Sequence, residues 1–248
     1  MHWRTKTVSR RARRTVRTGP DAFTLTELLV VISIIGLLMA ILMPSFGAIR
    51  EMGRSTDCKN NLQILTAAVM QYSWNAVNKD YLPMGAYGGG TWATLLLKGH
   101  LVDPPPLSNS ASAVLPGRSV FRCPAGQGSE VDGANAQASG DANRPFLHNW
   151  YGANGASGGD PNKYLMNLNR SVQTSNVTRK GQTIMLYDGV GLHDVKAAKV
   201  TSRHMGTKTN VAFLDAHGGA DTLDRQSPTV FPTDIMTNPN LTPRFAIK

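Results

Sequence analysis

The stretch DAFTLTELLVVISIIGLLMAILMPSF, residues 21–46, decides the fold because it is a long apolar run. Within it, residues 28–43 contain a single polar side chain, Ser33. With the flanking apolar residues, about 21 residues are available, which is enough for a helix to cross a hydrocarbon core roughly 30 Å thick. A chain segment in lipid must satisfy its own backbone hydrogen bonds, so we predict a helix here despite the β-branched residues.

The sequence after the apolar run continues a helical pattern. Four apolar residues recur at spacings of three, four and three, namely Leu62, Leu65, Val69 and Tyr72. This spacing is typical of one buried face of an amphipathic helix. We therefore predict one helix from about Phe23 to Val77, apolar in its first half and amphipathic in its second, with kinks at Gly36 and Pro44.

Glu27 is out of place in this apolar stretch, because an acid near the end of a membrane helix is costly unless it has a partner. If the chain is cut before Phe23, the new α-amine can be that partner, on the same chain or on a neighbouring one. Alternatively, the Glu27 side chain extends to the membrane surface beside the basic residues that precede it. The residues by themselves leave both interpretations open.

The positive charge of the chain is concentrated at its start. Residues 1–22 contain seven Lys and Arg against one Asp, so they hold +6 of the net charge of +10 and leave +4 for residues 23–248. A short basic segment beside an apolar helix marks the cytoplasmic side of a membrane span. The rest of the chain is not basic enough to predict a specific nucleic-acid partner.

The residues FTLTELLVV, 23–31, resemble the start of a type IV prepilin or a type II secretion pseudopilin, in which a basic leader ends before Phe and Glu is the fifth residue after the cut. The resemblance implies that a prepilin peptidase cleaves between Ala22 and Phe23 and methylates Phe23. It also implies a single-pass inner-membrane protein with a cytoplasmic leader, which assembles with other pilin-like subunits through its helix and through Glu27. The family usually has Gly where this chain has Ala22.

Later segments resemble a bacterial subfamily of pseudopilin-like proteins. The matching residues include CKNNLQ at 58–63 and FRCP at 121–124. That subfamily ends in a motif of His, nine residues and Asp-Gly. Here ten residues separate His204 from Asp215, and Ala216 replaces the Gly.

The pattern predicts an α+β, pilin-like fold, with the long helix packed on a small antiparallel sheet. We expect a short helix at 91–97, and strands at 119–123, 183–187, 210–214 and 220–223. The predicted organisation is a basic leader at 1–22, a membrane or filament-core half helix at 23–44, an amphipathic half at 45–80, an α+β head at 81–225 and a Pro-rich tail at 226–248.

Cys58 and Cys123 are the only two cysteines. Two cysteines in an exported domain can form one disulfide, and their spacing matches no zinc-binding pattern. Sequence does not show whether they are close together, so the paired and free states remain alternatives.

Polar residues that can carry chemistry are concentrated near the end of the predicted head: Asp188, His193, Asp194, His204, Asp215 and His217. These residues are also common in turns. No cofactor is required by this pattern. If an ion binds, calcium with Asp188 and Asp215 as ligands is the best match, because calcium prefers oxygen ligands.

The sequence therefore favours a structural subunit of a type II secretion pseudopilus or a type IV pilus-like filament rather than an enzyme. One alternative is a membrane-tethered envelope hydrolase that uses Asp188, His204, Asp215 and His217. Another is a minor pilin that binds DNA.

Overall fold

The computed structural model describes residues 23–75, 77–87, 90–105, 119–126, 136–138, 146–155, 164–167, 170–189, 203–215 and 220–224. The chain divides into two units between Phe46 and Gly47, and each is described by itself. The predicted leader, the Pro-rich tail and His193, Asp194, Ala216 and His217 lie outside the described residues.

Helix α1 runs from Leu25 to Trp74, 50 residues, and includes Gly36 and Pro44 without interruption. The predicted long N-terminal helix is therefore confirmed, to within three residues at either end. The capping box at its start joins Thr24 and Glu27: the Thr24 N–H and hydroxyl donate to Glu27 Oε2 at 2.9 and 2.7 Å, and the Glu27 N–H donates to Thr24 Oγ1 at 3.2 Å. These bonds satisfy backbone groups that the first turn of a helix leaves without partners.

The first unit contains the apolar half of α1. An 18-residue window there has a mean hydropathy of 2.6, and none of it is buried within the chain. By length and composition, α1 is able to cross a membrane.

In the second unit, one face of α1 enters the core. Leu62, Leu65 and Val69 are fully buried there, as the helical spacing predicted, and Tyr72 packs against the same core. Ile64 lies off this face and is 41% exposed. The core continues with large side chains from other elements, among them Trp92 and Phe121, whose ring centroids are 6.2 Å apart.

The remaining elements of the second unit are short. The helix α2 spans Trp92–Lys98, close to the predicted 91–97. In chain order, the strands are β1 (Ala86–Tyr87), β2 (Gly90–Thr91), β3 (Ala136–Ala138), β4 (Phe146–His148), β5 (Tyr151–Ala153), β6 (Met166–Asn167), β7 (Arg170–Ser171), β8 (Ile184–Asp188), β9 (Lys208–Phe213) and β10 (Ala220–Asp224).

The main sheet is antiparallel and has four strands in the order β10-β9-β8-β5. Strands β8, β9 and β10 match the predicted strands at 183–187, 210–214 and 220–223 to within two residues. Three two-stranded antiparallel pairs, β1-β2, β3-β4 and β6-β7, accompany it. An α+β fold with a long N-terminal helix and small antiparallel sheets is therefore observed.

The predicted strand at 119–123 is wrong. This segment is irregular and contains a turn, in which the Arg122 N–H donates to the Ser119 carbonyl at 3.0 Å and the Phe121 N–H donates to Ser119 Oγ at 3.1 Å. Phe121 and Cys123 are nevertheless fully buried. A turn, and not a strand, therefore directs both side chains into the core.

Candidate functional site

Four buried side chains from distant parts of the chain meet beside α1, and we refer to them as the Cys-His-Asp cluster: Cys58, Cys123, Asp188 and His204. One potential ligand atom from each residue lies within 4.8 Å of all the others. Cys58 comes from α1, Cys123 from the irregular segment after Ser119, and Asp188 from the last position of β8.

A tight turn before β9 places His204 in the cluster. The His204 N–H donates to the Lys208 carbonyl at 3.1 Å, and the Lys208 N–H donates back to the His204 carbonyl at 2.8 Å. Within the turn, Met205 and Gly206 have φ values of 47° and 73°. Gly adopts positive φ without the steric cost that a Cβ imposes, so Gly206 suits this reversal.

Cys58 and Cys123 form a disulfide, with their Cα atoms 5.2 Å apart and a sequence separation of 65 residues. The bond ties α1 to the segment that contains Phe121. The sequence left this pairing open, and the fold brings the two residues together because both belong to the same core.

The imidazole of His204 lies between two carboxylates and a sulfur. Nε2 is 3.2 Å from Asp188 Oδ2 and 3.6 Å from Cys123 Sγ, and Nδ1 is 3.2 Å from Glu51 Oε1. The side chains of His204 and Asp188 are 0% exposed, whereas that of Glu51 is 24% exposed. Glu51, a residue of α1, is therefore the partly exposed member of the site, and it links the buried His204 to α1.

The two carboxylate oxygens of Asp188 have different surroundings. Oδ2 accepts the Asn210 N–H at 3.0 Å, and it also faces His204 Nε2. Oδ1 has no hydrogen-bond partner within the described part of the chain. A buried carboxylate oxygen that lacks a partner is costly, so this atom marks a place where a donor or a cation would be stabilised.

Tyr151 pairs with Asp188 across strands β5 and β8 and is almost fully buried. Burial raises the pKa of Tyr151 well above its ordinary value, and the nearby negative charge of Asp188 raises it further. The Asn61 amide, which donates to the Tyr151 hydroxyl oxygen at 3.2 Å, opposes the rise. The phenol therefore stays neutral at physiological pH and adds no further charge beside Asp188.

The structure does not bring Asp188 and Asp215 together as a calcium site. Asp188 ends β8, whereas Asp215 lies beside its start, because the Leu214 N–H donates to the Thr183 carbonyl at 3.0 Å and the Asp215 carboxylate lies against Gly181. At about 3.4 Å per residue, the two ends of the five-residue β8 are roughly 14 Å apart. These two carboxylates cannot share one ion.

Two features were missed in the sequence, one in this site and one at the start of α1. Glu51 looks like an ordinary exposed residue of a helix, and nothing in its local sequence distinguishes it from its neighbours. The pair of Thr24 and Glu27 could have been found, because Thr-x-x-Glu before an apolar run is the signature of a capping box. The cap gives Glu27 a local role in addition to any role in assembly.

Comparisons of the chain with protein-family models, with curated proteins and with solved structures find no match.

Proposed function

We propose that this chain is a pilin-like structural subunit, held in the inner membrane by the first half of α1 and assembled through the same helix into a pseudopilus or a type IV pilus-like filament. The observation that carries the proposal is the exposure of that helix. Sixteen large apolar side chains between Phe23 and Phe46 are at least 45% exposed. Each one gains about 1.5–3 kcal/mol when fully buried, so together they represent on the order of 20 kcal/mol.

That sum exceeds the 5–15 kcal/mol by which a typical domain is stable. The helix therefore requires lipid or other helices around it. A membrane satisfies this requirement before assembly, and the equivalent helices of neighbouring subunits satisfy it in a filament. The same surface supports both states, which is why we favour a filament subunit over a protein that is only anchored.

Glu27 supplies the second part of the proposal. Cleavage between Ala22 and Phe23 by a prepilin peptidase would create a charged α-amine, and an uncompensated charge in an apolar core costs several kcal/mol. Among the described residues, the Glu27 side chain bonds only with Thr24, through Oε2. Its Oε1 remains to pair with the α-amine of Phe23 in an adjacent subunit.

The test separates this charge from the capping role. Glu27→Gln keeps a side chain that can cap the helix, since Gln also serves in capping boxes, but it removes the negative charge. We expect Glu27→Gln to insert into the membrane at the normal level and to yield at least tenfold less sheared filament than the unmodified chain. Thr24→Ala, which removes the hydroxyl of the cap and leaves the charge, is the matched control and should assemble. Normal filament yield from Glu27→Gln would refute the pairing.

Mass spectrometry of the protein isolated from cells tests the processing step. We expect the N-terminal peptide to begin with N-methylated Phe23. A peptide that retains Ala22 and Phe23 in one chain as the main species would contradict cleavage, whereas a start near Gly47 would indicate a removed signal sequence.

A further inference from the structure

We propose that the Cys-His-Asp cluster is a redox-gated zinc site, in which reduced Cys58 and Cys123 bind Zn²⁺ together with His204 and Asp188. The proposal concerns the second unit of the chain alone and does not depend on the proposed filament function. It rests on the chemistry of the four side chains, on their distances and on the groups that hold them.

The donor set suits zinc. Two thiolates, one imidazole nitrogen and one carboxylate oxygen provide four ligands of the kinds that zinc takes in tetrahedral protein sites. Calcium and magnesium prefer oxygen ligands, which only Asp188 provides here. The full burial of all four residues is typical of a closed, structural site rather than an open, catalytic one.

Two of the six distances between ligand atoms already approach those of a tetrahedral zinc site. With Zn–S near 2.3 Å and Zn–N near 2.05 Å, a tetrahedral site places sulfur and nitrogen about 3.6 Å apart and nitrogen and oxygen about 3.4 Å apart. The observed separations from His204 Nε2 are 3.6 Å to Cys123 Sγ and 3.2 Å to Asp188 Oδ2. The edge between the two sulfurs has to lengthen, because they are bonded in the oxidised chain and would stand about 3.8 Å apart on zinc. The remaining ligand atoms lie within 4.8 Å of one another, so they need shifts on the order of 1 Å to meet one ion.

The surroundings orient the ligands as in established metal sites. A His ligand commonly donates its second ring N–H to a carboxylate, which fixes the tautomer and makes the coordinating nitrogen more basic. Glu51 Oε1 lies 3.2 Å from His204 Nδ1 and leaves Nε2 facing the cluster. Arg54 Nη1 in turn lies 3.7 Å from Glu51 Oε2. Asp188 places Oδ2 in the cluster, and its other oxygen, Oδ1, is buried and has no hydrogen-bond partner in the described part of the chain, so a cation beside this carboxylate would stabilise both oxygens.

The redox step is balanced by a dithiol reductant. The reductant gives two electrons and two protons to the disulfide and forms its own disulfide, so the bond between Cys58 and Cys123 breaks and two thiols form. Zn²⁺ then displaces the two thiol protons into solvent as two Zn–S bonds form. In the oxidised chain the sulfurs are no longer thiolates, so disulfide and zinc exclude each other. Either state cross-links α1 to the segment around Cys123.

The experiment uses the untagged full chain in detergent, prepared oxidised and, without oxygen, reduced with a phosphine. Each form is dialysed against ZnCl₂ and its metal content measured, and Co²⁺ is added as a spectroscopic probe. We expect about one Zn²⁺ per reduced chain and none per oxidised chain. We also expect the thiolate-to-cobalt charge-transfer band and the intense visible bands of tetrahedral cobalt in the reduced chain alone.

Variants assign the ligands. Cys123→Ser and His204→Ala should each lower zinc affinity at least 100-fold, and Glu51→Gln should lower it by about 10–100-fold, the usual loss when a carboxylate behind a His ligand is removed. Asp215→Asn, which changes a carboxylate at the far end of β8, is the matched control and should bind zinc normally. Because the two redox forms of the unmodified chain are compared directly, the test does not depend on any variant folding.

Two results would overturn the proposal. The first is a reduced chain that keeps its far-ultraviolet circular dichroism but takes up no stoichiometric zinc, or binds Co²⁺ without thiolate charge transfer. The second is a reduced chain that unfolds and is not restored by zinc.

Discussion

Removing the disulfide should cost the second unit a defined amount of stability. Cys58 and Cys123 close a loop with a sequence separation of 65 residues. In the chain-entropy treatment, a loop of that length lowers the entropy of the unfolded chain enough to stabilise the folded state by about 4 kcal/mol. The perturbation is the double substitution Cys58→Ala and Cys123→Ala, which removes the bond without placing a polar group in the core.

The assay is equilibrium unfolding in urea, followed by tryptophan fluorescence, in detergent and with a chelator present to exclude zinc. For a unit that unfolds with an m-value of about 3 kcal/mol/M, a loss of about 4 kcal/mol lowers the midpoint by about 1.3 M. The reduced unmodified chain with chelator should show a similar loss. Gln63→Ala, on the exposed face of α1, is the control variant and should change stability by less than about 0.5 kcal/mol.

If the free energy of unfolding falls by less than about 1 kcal/mol in both the double variant and the reduced chain, the reasoning is refuted. It would mean that the unfolded chain already holds these segments close together, or that the segment around Cys123 contributes little to the cooperative unit. A large loss in the double variant with none on reduction would instead assign the effect to the cavity left by the two sulfur atoms.

Two further predictions concern the fold of the second unit. Leu65→Ala should destabilise it by about 2–5 kcal/mol, because Leu65 is fully buried in the core. The control is the adjacent Ile64→Ala, at a side chain that is 41% exposed, which should cost clearly less in the same urea titration. Equal losses of stability in the two variants would contradict the assigned buried face. The Thr174 hydroxyl donates to Asp80 and holds the pKa of this carboxyl below its ordinary value of 3.8. The stabilisation from Asp80 is therefore fully present above pH 3.8 and is lost as the pH falls through the lower pKa of the folded state. Asp80→Asn, which tolerates the same positive φ, should therefore destabilise the chain at pH 7 by more than at pH 2, and an unchanged difference between the two chains across that range would contradict the linkage.

Local patterns in the sequence were sufficient for the helices α1 and α2 and for three of the four strands of the main sheet, whereas β5 was not predicted. The apolar run and the spacing of Leu62, Leu65 and Val69 predicted α1, because helix formation and amphipathic burial are expressed over a few residues. Short apolar segments predicted β8 and β9, and a third strand was expected at 220–223, where β10 lies. Local patterns did not predict the turn at 119–123. Alternating burial arises in a turn as readily as in a strand when neighbouring elements cover the segment.

The candidate site could be predicted only residue by residue. Cys58 and Cys123 were considered as a possible pair, and Asp188 was grouped with His204 in one alternative, but the predicted ion site joined Asp188 to Asp215 instead. Asp188 is the last residue of β8, whereas Asp215 lies beside the start of β8, because the antiparallel register of β8 and β9 places the residues after Phe213 there. Register depends on which strands pair, and the local pattern of either strand does not contain that information.

By itself, the sequence determined a long N-terminal helix that is able to enter a membrane, an amphipathic continuation of it and three strands of an antiparallel sheet. Only the tertiary structure decided that Cys58 reaches Cys123 and that Glu51 reaches His204, pairs separated by 65 and 153 residues. The physical reason is the distance along the chain over which each interaction acts, because periodicity and capping involve residues only a few turns apart. Which sulfur, nitrogen and oxygen atoms come within bonding distance is set by the packing of α1 against the sheet.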